Sequence, residues 1–191
     1  MVQLSLNSID AVLILDSTGN RVLAKYYGSD KTTLKEQKAF EKSLFEKTRL
    51  SQGEIILYDN HVVLYRSNID VYFYVVGSPD ENELILLSMF NTFYDAVSSL
   101  LRHGDMMTSS PFFLTCRYQV EKRTVMDNLD LVALCLDETV DRGIILDTDA
   151  NAIVGRVSKP RLDVVDIPFT EQTLSQAYQT ARERLTSQLL R

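Results

Sequence analysis

The sequence predicts an α/β domain built on a five-stranded, mainly antiparallel sheet with helices on both faces. Three observations carry this. Five short apolar runs are separated by turn residues; the runs show no clean polar alternation, as in LIL, IIL and YFYVV; and two helix starts are written out in capping residues.

The first run, IDAVLILD (9–16), closes at Ser17-Thr18-Gly19-Asn20, and RVLAKYY (21–27) follows, which reads as a β-hairpin. Thr33-Leu34-Lys35-Glu36 fits a capping box, so a charged helix should run to about residue 50 with Leu34, Phe40, Leu44 and Phe45 on its buried side. EIILY (54–58), HVVLYR (61–66) and DVYFYVVG (70–77) follow, parted by Asp59-Asn60 and Ser67-Asn68, and read as a meander. VYFYVV lacks interleaved cations, so it reads as a central strand under helices rather than a base-stacking platform.

Ser78-Pro79-Asp80-Glu81 combines a Ser cap, a first-turn Pro and an acid three residues on, predicting a helix to about Arg102. Its apolar positions Leu84, Ile85, Leu87, Met89, Phe90, Phe93, Ala96, Val97, Leu100 and Leu101 span more than one stripe, which predicts the most buried helix. Residues 103–119, with Gly, Ser and Pro, read as a loop; 120–141 reads as one helical stretch ending at Gly143, with a further helix at 149–158 stopped by Pro160. Beyond Pro168, Thr170 can cap a last helix whose Leu174, Tyr178, Ala181, Leu185 and Leu189 share one face. The expected organisation is a domain over 1–160 and a C-terminal linker and helix over 161–191.

Composition narrows the function. Net charge is −6 with Lys and Arg interspersed among acids, which argues against nucleic acid and against direct adhesion to anionic membrane. Two cysteines, Cys116 and Cys135, supply neither a disulfide framework nor paired metal knuckles, and fit a reducing cytosol. No apolar run approaches the ~18 residues needed to span a bilayer. The start MVQLSLNSID has no signal-peptide pattern, and Val2 stands where myristoylation needs Gly.

Chemistry is sparse. His61 and His103 have no Cys or acid pair at ligand spacing and read as surface or turn residues; Walker, GxGxxG and GxSxG patterns do not occur. The acid groups Glu81/Glu83, Asp127/Asp130 and Asp137/Glu138/Asp141 read as solvated faces, and Cys135 in LVALCL as a core residue. No catalytic residue, cofactor or metal ligand is expected.

AVLILDSTGNRVLAKYY with LKEQKAFEK, IDVYFYVVGSPDENELILL, LDETVDRGIILDTDANAIVGRV and the tail PFTEQTLSQAYQTARERLTSQLLR resemble coatomer (COPI) zeta subunits, of the adaptor small-chain family. Together these segments cover most of 9–102 and 120–191, and KEQKAFEK and the tail favour zeta over sigma subunits. The resemblance implies a longin-like (SNARE-like) fold and a non-catalytic coat subunit. It implies direct pairing with the coatomer gamma subunit, recruitment of the coat to cytosolic Golgi membranes by an Arf-family GTPase, and retrograde and intra-Golgi transport. Membrane association would be peripheral, through the coat. Relative to that family, 103–119 stands as an insertion, either a tolerated surface loop or sequence absent from a spliced message.

Contacts with a partner are expected from exposed aromatics near sheet edges and from the seam of the last helix, with Tyr26, Tyr58, Tyr65 and Tyr178 as candidates. Core packing is the competing reading for each, and at least as strong. Alternative functions are a sigma-type small subunit of a clathrin adaptor, separable by a dileucine-peptide binding assay, and a longin-type regulator of small GTPases, separable by nucleotide-release kinetics.

Overall fold

A computed structural model describes residues 8–28, 33–50, 54–104 and 120–158. The sheet comprises β1 (Ile9–Asp16), β2 (Arg21–Tyr26), β3 (Ile55–Tyr58), β4 (His61–Ser67) and β5 (Val71–Gly77), in the order β2-β1-β5-β4-β3 and antiparallel throughout. The aromatic strand β5 is central, as its two-faced apolar pattern requires. Alternation divides it: Phe73 faces one core, and Tyr72 and Tyr74 the other.

Local chemistry sets the turns. The Asp16 carboxylate accepts from the backbone N–H groups of Thr18 (2.9 Å) and Asn20 (2.8 Å), closing the β1–β2 hairpin. Gly19 there has φ +80°, and a Cβ would meet the Phe45 ring at 2.7 Å. Asp59 and Asn60 take φ of 52° and 59° between β3 and β4, the positive values a two-residue hairpin turn needs.

Helix α1 (Leu34–Thr48) has the expected capping box, with Glu36 N–H donating to Thr33 Oγ1 and Thr33 N–H to the Glu36 carboxylate. Phe40, Leu44 and Phe45 are buried, but Leu34 is exposed, because it precedes the stripe that reaches the sheet.

Helix α2 (Glu83–Gly104) begins later than the Ser78-Pro79 signal predicts. Ser78 closes a turn through its carbonyl to Glu81 N–H, and Asn82 does the capping, its Oδ1 accepting from Leu84 N–H at 2.9 Å. Phase follows the cap: Leu84 and Ile85 point to solvent, while Leu86, absent from the expected buried set, is fully buried. Contrary to the expectation that no apolar run approaches a bilayer span, Glu83–Arg102 is long and apolar enough to cross a membrane by length and composition alone. Polar residues such as Asn91, Thr92 and Asp95 interrupt the run, and its apolar residues from Leu86 to Leu101 pack into the larger core.

The stretch expected as one helix is two, α3 (Lys122–Asp127) and α4 (Leu129–Thr139), broken at Asn128, whose φ −126° and ψ 34° leave the helical region. A small hairpin of β6 (Val140–Asp141) and β7 (Ile144–Ile145) turns on Arg142 and Gly143, both at positive φ. Helix α5 (Ala150–Val157) follows, capped by Asp149. The larger core joins α2, α4 and α5 to one sheet face, and a smaller one lies under α1 on the other. Cys116, the 105–119 part of the expected loop, and the last helix with Tyr178 lie outside the described residues.

Candidate partner interface

Three candidate tyrosines share the α1 face. Five strands spaced about 4.8 Å apart make a face wider than one helix of about 10–12 Å can cover, so the flanks need large side chains. Tyr26 on edge strand β2 and Tyr58 on edge strand β3 fill those flanks, and both are half-buried. Tyr26 donates to Glu41 Oε1 at 2.9 Å, and Tyr58 to Ser43 Oγ at 2.8 Å, so each edge is tied to the same helix.

Glu41, only 2% exposed, is held by Arg21 through Nη2–Oε1 (2.6 Å) and Nε–Oε2 (3.0 Å). Burial, and then the Glu41 charge, push the Tyr26 phenol well above its ordinary range, so it serves as a donor. Tyr58 also packs on Phe40, with ring centroids 5.7 Å apart, and carries the Lys47 ammonium 4.7 Å above its ring. Tyr65 is a different case. It is 3% exposed and stacked on Tyr74, so the native chain offers a partner almost none of it; its hydroxyl is buried without a hydrogen-bond partner.

His61 is not the surface residue the sequence suggests: it is buried, and its Nδ1 lies 3.0 Å from Asp10 Oδ2. It lines an open groove of about 600 Å³ with Phe40, Ser43, Tyr58 and Asp59. Ser43 there donates to helix carbonyls and accepts from Tyr58, so its oxygen is committed to structure. Cys135 is fully buried, and burial pushes its thiol up to about 12, the opposite of an activated nucleophile. Asp137 and Glu138 meet Lys25 and Arg156 at the surface. Among the described residues no group of three or more His, Cys, Asp and Glu side chains is placed to hold a metal ion.

Sequence reasoning missed a second surface. Ile55 and Leu57 on β3 are 42% and 73% exposed, and Leu84 and Ile85 at the start of α2 are 72% and 48% exposed. EIILY does signal a strand, but edge position is a property of the pairing order, and α2's phase depends on which residue caps it.

The sequence profile of the clathrin adaptor complex small chain family matches residues 8–107. Coatomer subunit zeta-1 of Homo sapiens is 43% identical over 187 residues, spanning 98% of this chain and 96% of the human protein. Coatomer subunit zeta-1 of Arabidopsis thaliana is 42% identical over 184 residues, spanning 94% and 95%. Among solved structures, a chain of the full-length AP-3 complex in a stretched open conformation, itself a homology model, aligns with TM-score 0.53. That alignment covers 92% of this chain and 98% of that one at 18% identity, a likeness of fold alone.

Proposed function

This chain belongs to the coatomer zeta subunits, within the clathrin adaptor complex small chains, and from that membership we propose that it acts without catalysis, by pairing with the coatomer gamma subunit. It is a small subunit of the COPI vesicle coat with a longin-like α/β fold. The observation that carries the reading is the 42–43% identity to zeta subunits of Homo sapiens and Arabidopsis thaliana along nearly the whole of both.

The physical mechanism is burial of apolar surface against an extended helical subunit, which fixes the geometry of the pair and stabilises both members. The coat as a whole, recruited by an Arf-family GTPase, would bring the chain to the cytosolic face of Golgi membranes for retrograde and intra-Golgi transport. Membrane attachment is then peripheral and indirect. Residues 161–191 serve in this reading as an extension to the 1–160 domain, and 103–119, whose first two residues end α2, as an insertion relative to the family.

Co-expression with the helical trunk of coatomer gamma tests the reading. A stoichiometric complex on size exclusion is the expected result. A folded trunk that elutes alone, with this chain and with a variant lacking 103–118, refutes the pairing.

A further inference from the structure

The two sheet faces are unequally covered. The core under α1 draws residues from all five strands, including Ile56 and Tyr58 of β3. The core under α2, α4 and α5 draws on β2, β1, β5 and β4, and includes no β3 residue. Among the described residues the layer on that face thus stops one strand short, leaving Ile55 and Leu57 on the other side of β3 42% and 73% exposed.

The register locates the gap. Leu57 lies opposite Val62, and Val62 opposite Gly77, where a Cβ would meet Leu86 of α2 at 2.7 Å. Along the pairing Val62 therefore stands between Leu57 and the strand position over which Leu86 of α2 packs, and Leu84 and Ile85, next to Leu86 in sequence, are exposed. A helix packs 8–10 Å from its neighbour, about two strand spacings, so a further helix laid beside α2 would sit over β3.

Charge identifies what fits. Residues 51–101 contain seven acids (Glu54, Asp59, Asp70, Asp80, Glu81, Glu83, Asp95) and one Lys or Arg, Arg66, a net of −6. The whole chain has 20 basic and 26 acidic residues, so the remainder is balanced at 19 each and this segment carries the entire net charge. Arg66 is engaged, donating to Asn91 and lying over the rings of Phe90 and Tyr94. Glu54 adjoins Ile55, and Asp80, Glu81 and Glu83 lead into Leu84. These four acids form no ion pair among the described residues.

We infer that the uncovered face of β3 and the first turn of α2 form a docking surface for an amphipathic partner helix, with an apolar stripe bordered by Lys and Arg, on the larger coat subunit. This rests on the pairing proposed above and assigns it a surface. A second copy of this chain is the wrong occupant, because a two-fold contact would set acidic rim against acidic rim.

The experiment measures the Kd of the full chain for the gamma trunk. Leu57→Lys/Leu84→Lys should weaken binding about a hundredfold or more, as loss of central apolar anchors does. Glu54→Lys/Glu81→Lys/Glu83→Lys should weaken it and flatten its salt dependence. Leu34→Lys/Leu50→Lys, at exposed sites outside this surface, should bind as wild type. Wild-type Kd should rise with salt from about 50 to about 500 mM as exposed charges are screened, a readout that needs no variant. Unchanged binding by folded patch variants, a flat salt profile, or a free-chain dimer lost in Leu57→Lys overturns the surface while leaving pairing intact. Wild-type chain that ignores a folded trunk sinks the pairing itself, and this assignment with it.

Discussion

Replacing Asp16 by Ala should cost about 3 kcal/mol, because this carboxylate closes the first hairpin and also holds α3. It is 4% exposed and accepts from Thr18 N–H (2.9 Å), Thr18 Oγ1 (2.6 Å), Asn20 N–H (2.8 Å) and Lys122 Nζ (2.9 Å). Each bond from Thr18 and Asn20 contributes about 1 kcal/mol, and Lys122, whose side chain is 43% exposed, adds less than about 1. Asp16→Ala should therefore lower Tm by about 6–12 °C in a chain of this size. Asp16→Asn keeps an acceptor for the turn and should cost about 1 kcal/mol. Burial alone would raise this carboxyl, but the bonds from Thr18, Lys122 and Asn20 outweigh it and hold the group well below the usual carboxylate range. Since the folded value lies below the unfolded one, the contribution is full above about pH 4 and fades as pH falls toward the folded value. The gap between wild type and Asp16→Asn in denaturant melts should accordingly shrink from pH 5 to pH 2. A cost under about 1 kcal/mol for Asp16→Ala, or a gap indifferent to pH, refutes the account.

Tyr65→Phe removes a buried hydroxyl with no partner and should leave stability unchanged or raised by up to about 1 kcal/mol; Tyr74→Phe, which loses a 2.8 Å bond to Thr48, should cost about 1. Parallel denaturant melts decide, and equal costs would contradict the assignment of the orphan hydroxyl. Cys135, with its thiol pushed up to about 12 by burial, should resist alkylation at pH 8 until denaturant opens the core. Peptide-resolved mass spectrometry follows it, and native labelling at the rate of a free thiol would refute the burial.

The strands were legible because their signals are local: alternating or two-faced apolar runs and turn residues such as Asp59-Asn60 need no partner to be recognised. The capping box at Thr33 and Glu36 is local in the same way. Legibility failed where two nearby signals compete. Ser78-Pro79 and Asn82 could each start α2, and selection of Asn82 turned Leu86 inward and Leu84 and Ile85 outward. It failed again at Asn128, where apolar spacing carries across a break in the helix, and at His61, whose partner Asp10 is fifty-one residues away. Which strands are edges is settled by the strand order, in which β1 pairs with β5 across α1 and the meander: Tyr26 and Tyr58 stand on edge strands as expected, but Tyr65 lies on interior strand β4.

That strand order also decides which aromatic and aliphatic edge residues are free for a partner. Tyr26 and Tyr58 sit at edges, where interface aromatics are usually sought, yet both hydroxyls are spent on α1 and both rings lie against the smaller core. On the opposite face the described helices reach across four strands, and among the described residues no tyrosine flanks the fifth; Ile55 and Leu57 are exposed there. Natural sheets blunt edges with short strands, Lys, Pro or inward charge; β3 is only four residues long, but it reads IILY, without Lys or Pro, and its preceding neighbour is Glu54. A short strand with exposed aliphatics and an acidic border is retained most simply if another chain covers it. On the proposed docking, the surface used for assembly is the exposed aliphatic one at Ile55 and Leu57, rather than the one richest in aromatic rings.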